Sequence, residues 1–462
     1  MKSALTVLVL LCSVSFLKSQ SAMEFSLAEA QAFALQNNLQ MQSSAIDLEI
    51  AKKKIKETIA IGLPQVNASG SFQHFLDIPV TVIPDFISPT VISTLIQTGV
   101  LDAEDAPSGS AQFVEAQFGT KYNVSGGISA SQLLFDGTFL VGLQAARAYA
   151  QFSELGVEST EAEVKEQVAQ AYTTLLVANE NLSLLQQSAS TLRKISDDTE
   201  ALFNNGFAEQ IDVDQLKLQL SSIENQITFS STQIEIAREM FCFSLGLPET
   251  TEIVLKDNVE TLLLDEQLGA LIQQPFVPEM LPSVKTVQSG IVLQELLLKK
   301  EKAAYLPSLS AFFNHNQNAL RNQFNFFESG GAWFPSTVWG VNLSIPIFSS
   351  GMKHYKVQQA ELELEKARIG LEQVNDATRL TYRNAKAELM NAINQLDNTT
   401  KSLALSERIL SHTRIKYKEG LASSFELSQA ETQQLNTQGS YIAAMLNVLQ
   451  AKIRIQKSTN QF

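Results

Sequence analysis

Cysteine, histidine and positive charge are all scarce in this chain of 462 residues, and each scarcity removes a class of function. There are two cysteines. Cys12 falls in an apolar leader, which leaves Cys242 without an intrachain disulfide partner. The four histidines, at positions 74, 315, 354 and 412, are scattered and form no Cys/His cluster at metal-ligand spacing, so no metal site is expected. Lys and Arg number 34 against 48 acids, a net charge of −14. No basic stripe exists to neutralise phosphates, so nucleic acid is not a partner. Nucleophile elbow, phosphate loop and zinc-helix motifs are all missing, so neither catalytic nor cofactor-binding residues, and no enzymatic activity, are expected.

Helix breakers are missing over long stretches. No glycine lies between Gly156 and Gly206 and no proline between Pro107 and Pro248, so nothing interrupts a helical run from about Phe139 to Asn204. Its apolar or small positions at Val164, Val168, Ala171, Leu175, Ala178, Leu182, Leu185, Ala189 and Leu192 alternate steps of four and three, which is a heptad seam. A second run from Met352 to Lys418 repeats the pattern through Leu364, Ala367, Leu371 and Val374. It shifts phase near Thr378 to Tyr382 and continues through Ala385, Leu389, Ala392, Leu396, Leu403 and Leu410. Each run ends on a glycine turn, Phe203-Asn204-Asn205-Gly206 or Tyr417-Lys418-Glu419-Gly420, and a returning helical seam follows each turn. The N-terminal segment from Ser26 to about Ile61, and its counterpart from Ser283 to Tyr305, also read as helices.

Charge is missing from four segments: Gln65 to Phe75, Tyr122 to Phe135, Ser308 to Asn318 and Val338 to Phe348 contain no Asp, Glu, Lys or Arg. Each is about the length of a tilted membrane strand, for which about 9–11 residues suffice. Val66, Ala68, Gly70 and Phe72 alternate with Asn67, Ser69, Ser71 and Gln73, and Trp339, Val341, Leu343 and Ile345 alternate with Gly340, Asn342 and Ser344. One apolar face and one uncharged polar face is the pattern of a barrel wall, although two soluble hairpins with one buried face share the alternation. His74 and His315 are read as barrel-rim residues. Four strands cannot close a barrel, since the smallest membrane barrels have about 8, so the edges call for other copies of the chain.

The leader itself, residues 1–21, reads as a signal peptide: Lys2 is followed by an apolar run from Ala4 to Leu17 too short to span a bilayer, with small residues at Ser19, Ser21 and Ala22. Leu11 before Cys12 argues against lipid attachment. No later stretch is apolar enough for a transmembrane helix, so the chain either stays soluble outside the cytoplasm or enters a membrane as strands.

The order of helix, two strands, long helix, glycine turn and return helix occurs twice. It divides the chain into a first repeat at 22–245, an intervening segment at 246–282 and a second repeat at 283–462. The two halves differ in the excursion between their strands. The first, from about Leu76 to Phe118, carries four prolines, the acidic stretch Asp102 to Asp105 and an apolar group at Phe86, Ile87, Val91, Ile92, Leu95 and Ile96, for which local burial is expected. The second, about Gln317 to Thr337, is rich in Asn and Phe.

Duplicated strand pairs, long helical hairpins, an aromatic-x-x-Gly turn in each half and Ala304-Tyr305-Leu306-Pro307-Ser308-Leu309 leading into a strand together resemble the TolC-type outer-membrane efflux family. The resemblance spans about Phe25 to Gln456. It implies an α+β membrane protein: a homotrimer whose twelve-stranded outer-membrane β-barrel continues into a periplasmic α-helical tunnel, with residues 246–282 in an equatorial belt. It also implies a passive exit duct, fed by an inner-membrane pump of the RND or ABC type through a periplasmic adaptor protein, and surrounded by outer-membrane lipid. The duct of a type I protein secretion system is the alternative, and a structural coiled-coil surface protein a more distant one. In the family, acidic rings narrow the tunnel just past the glycine turns. By position after the turn the matching residues are Asp212 and Glu426, and the hairpin tips that would meet the adaptor carry Phe203, Gly206, Tyr417 and Gly420. Gln429 and Ala422 replace a second acid and a basic gate residue, which departs from the family's salt-bridge lock. Acids in a helix's first turn are also favoured by its dipole, so Asp212 and Glu426 have a purely local reading as well.

Overall fold

The computed structural model describes residues 23–85, 87–102, 104, 113–263, 267–273 and 275–461. The signal peptide, Cys12, Phe86, Asp105 and Pro107 lie outside the described residues. In chain order the elements are β1 (Met23–Phe25), α1 (Leu27–Asn37), α2 (Leu39–Ile61), β2 (Gln65–His74), β3 (Val80–Pro84), α3 (Ile87–Gln97), β4 (Phe113–Gln117), β5 (Tyr122–Asp136), α4 (Gly137–Asn204), α5 (Gln210–Leu245), β6 (Ile253–Leu255), α6 (Val259–Leu263), α7 (Gln267–Gln273), α8 (Pro282–Ala303), β7 (Ser308–Arg321), β8 (Phe334–Ser344), α9 (Met352–Lys418) and α10 (Ser424–Ser458). The chain forms two compact units. One comprises residues up to Lys54, Ala145–Glu295 and Ala360 onward; the other comprises Ile55–Gln144 and Leu296–Gln359.

The second unit holds a four-stranded antiparallel sheet in the order β2-β5-β7-β8. Its register sorts the side chains as the alternation predicts. Val66 pairs with Ala130, Ala130 with Phe313, and Phe313 with Trp339, so these residues share one face. Asn67 pairs with Ser129, Ser129 with Asn314, and Ser71 with Ser125, so amides and hydroxyls share the other. Both faces are open in the single chain: β2 is exposed at all ten positions and β8 at all but Gly340. Among the described residues, β2 and β8 are each paired on one side only, which leaves two free edges.

The last strand begins four residues before the predicted start and ends four before the predicted end. Pro346 lacks the N–H that a ladder needs, which fits an end at Ser344, whereas Pro335 is tolerated because β8 is an edge strand. The same extension of pairing corrects the reading of His315. It lies in the middle of β7, with Nδ1 2.7 Å from the Thr337 hydroxyl, and is not a rim residue. His74 does end β2, stacked on Tyr122 with ring centroids 4.4 Å apart. In the first excursion β3 and β4 pair antiparallel. The expected local burial of its apolar group is met only in part: Ile92, Leu95 and Ile96 are half-buried, Ile87 and Val91 are exposed, and α3 has no buried residue.

The other unit is helical. α4 and α9 are 68 and 67 residues long, which at ~1.5 Å per residue is about 100 Å each. The predicted seams are the buried stripes. Val164, Val168, Leu175, Leu185, Ala189 and Leu192 are buried on α4, as are Leu364, Ala385, Leu389, Ala392 and Leu410 on α9. Around Tyr172 the stripe widens into a core with Phe25, Ala30, Ala34, Phe241, Leu245, Val259 and Leu449, because α1, the parallel pair β1–β6 and α6 wrap α4 there. The Tyr172 hydroxyl sits 2.9 Å from the Asp257 carboxylate and 3.1 Å from the Phe25 carbonyl, and accepts from the Asp257 N–H at 3.2 Å. The predicted N-terminal helix is broken at Asn38. Its side chain accepts from the Gln40 and Met41 N–H groups, starting α2, and donates to the Ser244 carbonyl at 2.8 Å. Among the described residues no helix is long and apolar enough to cross a membrane.

Candidate functional site

The two helical hairpins bring their tips together, and the local chemistry of each tip follows from its sequence. Gly206 has φ +80° and Gly420 φ +70°, a left-handed conformation that a side chain resists. Around Gly206 the glycine N–H donates to the Phe203 carbonyl at 2.9 Å and the Phe207 N–H to the Leu202 carbonyl at 2.9 Å. Around Gly420 the matching bonds run to Tyr417 at 3.0 Å and from Leu421 to Lys416 at 2.8 Å. This paired arrangement satisfies the last carbonyls of α4 and α9 and turns the chain back on itself. No atom lies within 4 Å of where a Cβ would stand at either glycine, so the constraint is the backbone and not crowding.

Each return helix then opens with its acid folded onto its own start. The Asp212 carboxylate accepts from the Glu209 N–H at 3.1 Å. The Glu426 carboxylate accepts from the Ser423 N–H at 2.9 Å, while the Ser423 hydroxyl accepts from the Glu426 N–H at 3.2 Å, a capping box. Asp212 is half-buried and Glu426 exposed. Each of these bonds engages one carboxylate oxygen with the backbone, and the negative charge stays at the tip.

The hairpins are tied by contacts that the sequence did not single out. Leu192, Leu216, Ile223, Leu410 and Leu427 form one buried cluster across α4, α5, α9 and α10, with Tyr417 packed against it. The Tyr417 hydroxyl lies 2.9 Å from that of Thr199, and the Ser424 hydroxyl donates to the Gln215 side chain at 2.8 Å. Burial pushes the Tyr417 phenol pKa up, the Thr199 bond opposes this, and the Asp212 charge nearby adds to the rise. Phe203, by contrast, is exposed and lies off the seam, so the two aromatic tip residues are not equivalent. Phe207, Leu421 and Phe425 are more exposed still, at 81%, 77% and 64%. The tips thus present apolar side chains beside fixed carboxylates.

One turn above the tip, Arg414 of α9 donates through Nε and Nη2 to the same oxygen of Glu431 on α10, at 2.9 and 2.7 Å. Glu431 is 1% exposed and Arg414 28%. Burial pushes the Glu431 carboxyl above its ordinary value, and the Arg414 charge opposes this. Both residues occupy seam positions, four after Leu410 and four after Leu427. A basic and an acidic residue interrupting facing apolar seams was therefore a legible signal of a buried pair. Among the described residues there is no group of His, Cys, Asp or Glu arranged to hold a metal ion.

Known proteins share this architecture. The family model described as outer membrane efflux protein matches residues 104–246 and 298–461. The chain is 22% identical over 311 residues to the toxin and drug export protein A of Aggregatibacter actinomycetemcomitans, covering 65% of each chain. It is 22% identical over 200 residues to the protein CyaE of Bordetella pertussis, covering 43% of this chain and 41% of that one. The chain therefore spans just under two thirds of the first relative's length and less than half of the second's. Among solved structures, the Campylobacter jejuni CmeC outer membrane channel superposes with a TM-score of 0.67 at 18% identity, over 94% of this chain and 85% of that one. The outer membrane protein VceC of Vibrio cholerae does so at 0.66 and 14%, over 94% and 95%. The open state of the Neisseria gonorrhoeae MtrE outer membrane channel does so at 0.64 and 17%, over 94% and 88%. These likenesses show the fold, and the matched segments, which take in α4, α5, both second-half strands, α9 and α10, show the family: the chain belongs to the outer membrane efflux proteins, the TolC-type family.

Proposed function

We propose that this chain is the outer-membrane exit duct of a tripartite efflux system, a passive conduit for substrates handed on by an inner-membrane pump through a periplasmic adaptor. The observation that carries the reading is the sheet β2-β5-β7-β8. It has one apolar face, one uncharged polar face and two free edges, and it occurs in a chain that also builds two helical hairpins far longer than a compact domain needs. A sheet with open faces and edges is unstable alone in water and is completed by lipid on one side and further copies at its edges. Three copies give a homotrimer with a twelve-stranded barrel whose uncharged Asn and Ser residues line the passage. The hairpins continue it as a periplasmic tunnel. The relative named for toxin and drug export supports the transport role, and the family description favours efflux over dedicated protein secretion. A coiled-coil surface fibre would leave the two-faced sheet without a purpose.

The repeats at 22–245 and 283–462, with 246–282 as an equatorial segment between them, are the natural division of such a duct. Each repeat supplies a helical entry, two strands and a helical hairpin. At the tips, Phe203, Gly206, Tyr417 and Gly420 shape the end that meets the adaptor. Asp212 and Glu426 set a ring of carboxylates at the periplasmic mouth, where like charges focus the field on passing cations. The pump is of the RND or the ABC type, and the choice of cargo lies mainly with it. Native mass spectrometry of the detergent-extracted protein tests the assembly, with three chains per particle expected and discrete conductance in planar bilayers. A monomer stable without detergent, or trimers that conduct nothing, would refute the duct.

A further inference from the structure

The described parts of the first excursion, residues 76–85, 87–102, 104 and 113–118, combine exposed apolar side chains with exposed acids. The Phe75 N–H donates to the Lys121 carbonyl at 2.8 Å, carrying the β2–β5 pairing on towards the β3–β4 pair, and Asp85 starts α3 by accepting from the Ile87 and Ser88 N–H groups at 3.0 and 2.9 Å. No charged residue occurs from Phe86 to Leu101. Ile92, Leu95 and Ile96 are half-buried, which leaves Ile87 and Val91, one turn apart, exposed at 61% and 49%. In the excursion's sequence every charge has one sign: residues 76–118 contain six acidic residues and no Lys, Arg or His. Asp77, Asp102, Glu104 and Glu115 are exposed.

We infer that this surface is a docking site for a cationic amphipathic polypeptide segment arriving from outside the cell. An exposed apolar stripe on a folded excursion marks an interaction site, and the surrounding charge decides among its occupants. A second copy of the excursion brings the same negative excess and is repelled. A phosphate-bearing lipid surface has the same sign and is repelled too. A partner helix with apolar side chains on one face and Lys or Arg flanking them matches both features, with the charges steering approach and the apolar contact holding the complex. The outward orientation rests on the duct reading above; the docking chemistry does not.

The test uses the full-length protein in nanodiscs of zwitterionic lipid, with empty discs subtracted. A fluorescent amphipathic helix of Leu and Lys is the probe, and its Leu/Glu and Ser/Lys counterparts are comparators. The Leu/Lys peptide is expected to bind at least about tenfold more tightly than either comparator. Ile87→Ser with Val91→Ser is expected to weaken it by about tenfold, and Asp102→Asn with Glu104→Gln to flatten its salt dependence. Equal binding of the Leu/Lys and Leu/Glu peptides, or unchanged binding by both variants, overturns the inference. So does a loss of trimer heat stability in the Ile87/Val91 variant with peptide binding intact, which assigns the stripe to a second copy, or capture of phosphatidylglycerol vesicles in place of peptide, which assigns it to a membrane. Labelling of Gln97→Cys by an impermeant maleimide on intact cells checks the orientation separately, so a failed topology and a failed docking site are told apart.

Discussion

Removing the cation from the buried Arg414–Glu431 pair should cost far more than removing the anion, and the cost should depend on pH. In Arg414→Met the carboxylate of Glu431, 1% exposed, loses both of its charge-assisted bonds and has no route to water. Breaking a buried pair in this way costs about 3–5 kcal/mol near neutrality. Glu431→Gln keeps an acceptor for the guanidinium, which at 28% exposure already reaches solvent, so a cost of about 1 kcal/mol is expected. Replacing both, as Arg414→Met with Glu431→Leu, should come close to the wild type, because desolvation of the pair offsets most of its attraction. The sign of the pH effect follows from the raised pKa of Glu431. Above the ordinary carboxyl value of 4.5 the folded chain holds more protons on this group than the unfolded chain does. Its contribution is thus fully present below 4.5 and is lost as pH rises through the folded value. Without Arg414 the folded value climbs further, so the penalty of Arg414→Met should shrink on going from neutrality to about pH 5. Chemical denaturation of the purified protein followed at the helical circular dichroism band checks this. Equal, pH-independent losses for Arg414→Met and Glu431→Gln would refute the account.

The double variant Gly206→Val, Gly420→Val should damage adaptor docking more than barrel assembly, because it imposes a positive φ on a β-branched residue at a strain of roughly 1–3 kcal/mol per site although the space is open; wild-type efflux by this variant would count against the role of the turns. Tyr172→Phe should lower stability by about 1–3 kcal/mol, because the hydroxyl is the shared partner of Phe25, Asp257 and the Asp257 N–H, and it should hasten proteolysis near Met23; an unchanged melting curve would show that water replaces it. Asp212→Asn with Glu426→Gln keeps an oxygen acceptor for each backbone cap while removing the charge, so cation preference and multivalent-cation block in planar bilayers should fall with trimer stability nearly unchanged; a fall in stability alone would assign both residues to helix starting only.

The parts of the fold legible in the sequence are those fixed by short-range periodicity. Period-two alternation with no charge marked β2, β5 and β7 because each strand answers the same demand at every second residue. The heptad seams of α4 and α9 came through for the same reason, and both glycine turns because a helix reversal with positive φ leaves few residue choices. What stayed hidden depends on partners distant in sequence. Asn38 caps α2 locally through Gln40 and Met41, but what fixes the break there is remote: the carbonyl to which it donates belongs to Ser244, and the Gly246 turn presses on the Asn37 carbonyl, 2.3 Å from where a Cβ would stand. The end of β8 was misplaced because the alternation carries on past Ser344 through Ile345, while hydrogen bonding stops short of Pro346.

At the tips the acids were found by counting from the turn, and the structure adds a reason for the spacing. A carboxylate at the third position of a return helix reaches back to the N-terminal backbone, so an acid at this spacing fixes where the helix begins. The links between the hairpins escaped because Thr199, Gln215 and Ser424 are small polar residues whose value lies only in what faces them. Those links join neutral groups. The hydrogen bonds Tyr417–Thr199 and Ser424–Gln215 hold one hairpin to the other through contacts that salt screens only weakly. The charges at the tips, Asp198, Glu209, Asp212, Lys418 and Glu419 among them, are the part that screening and neutralisation can change.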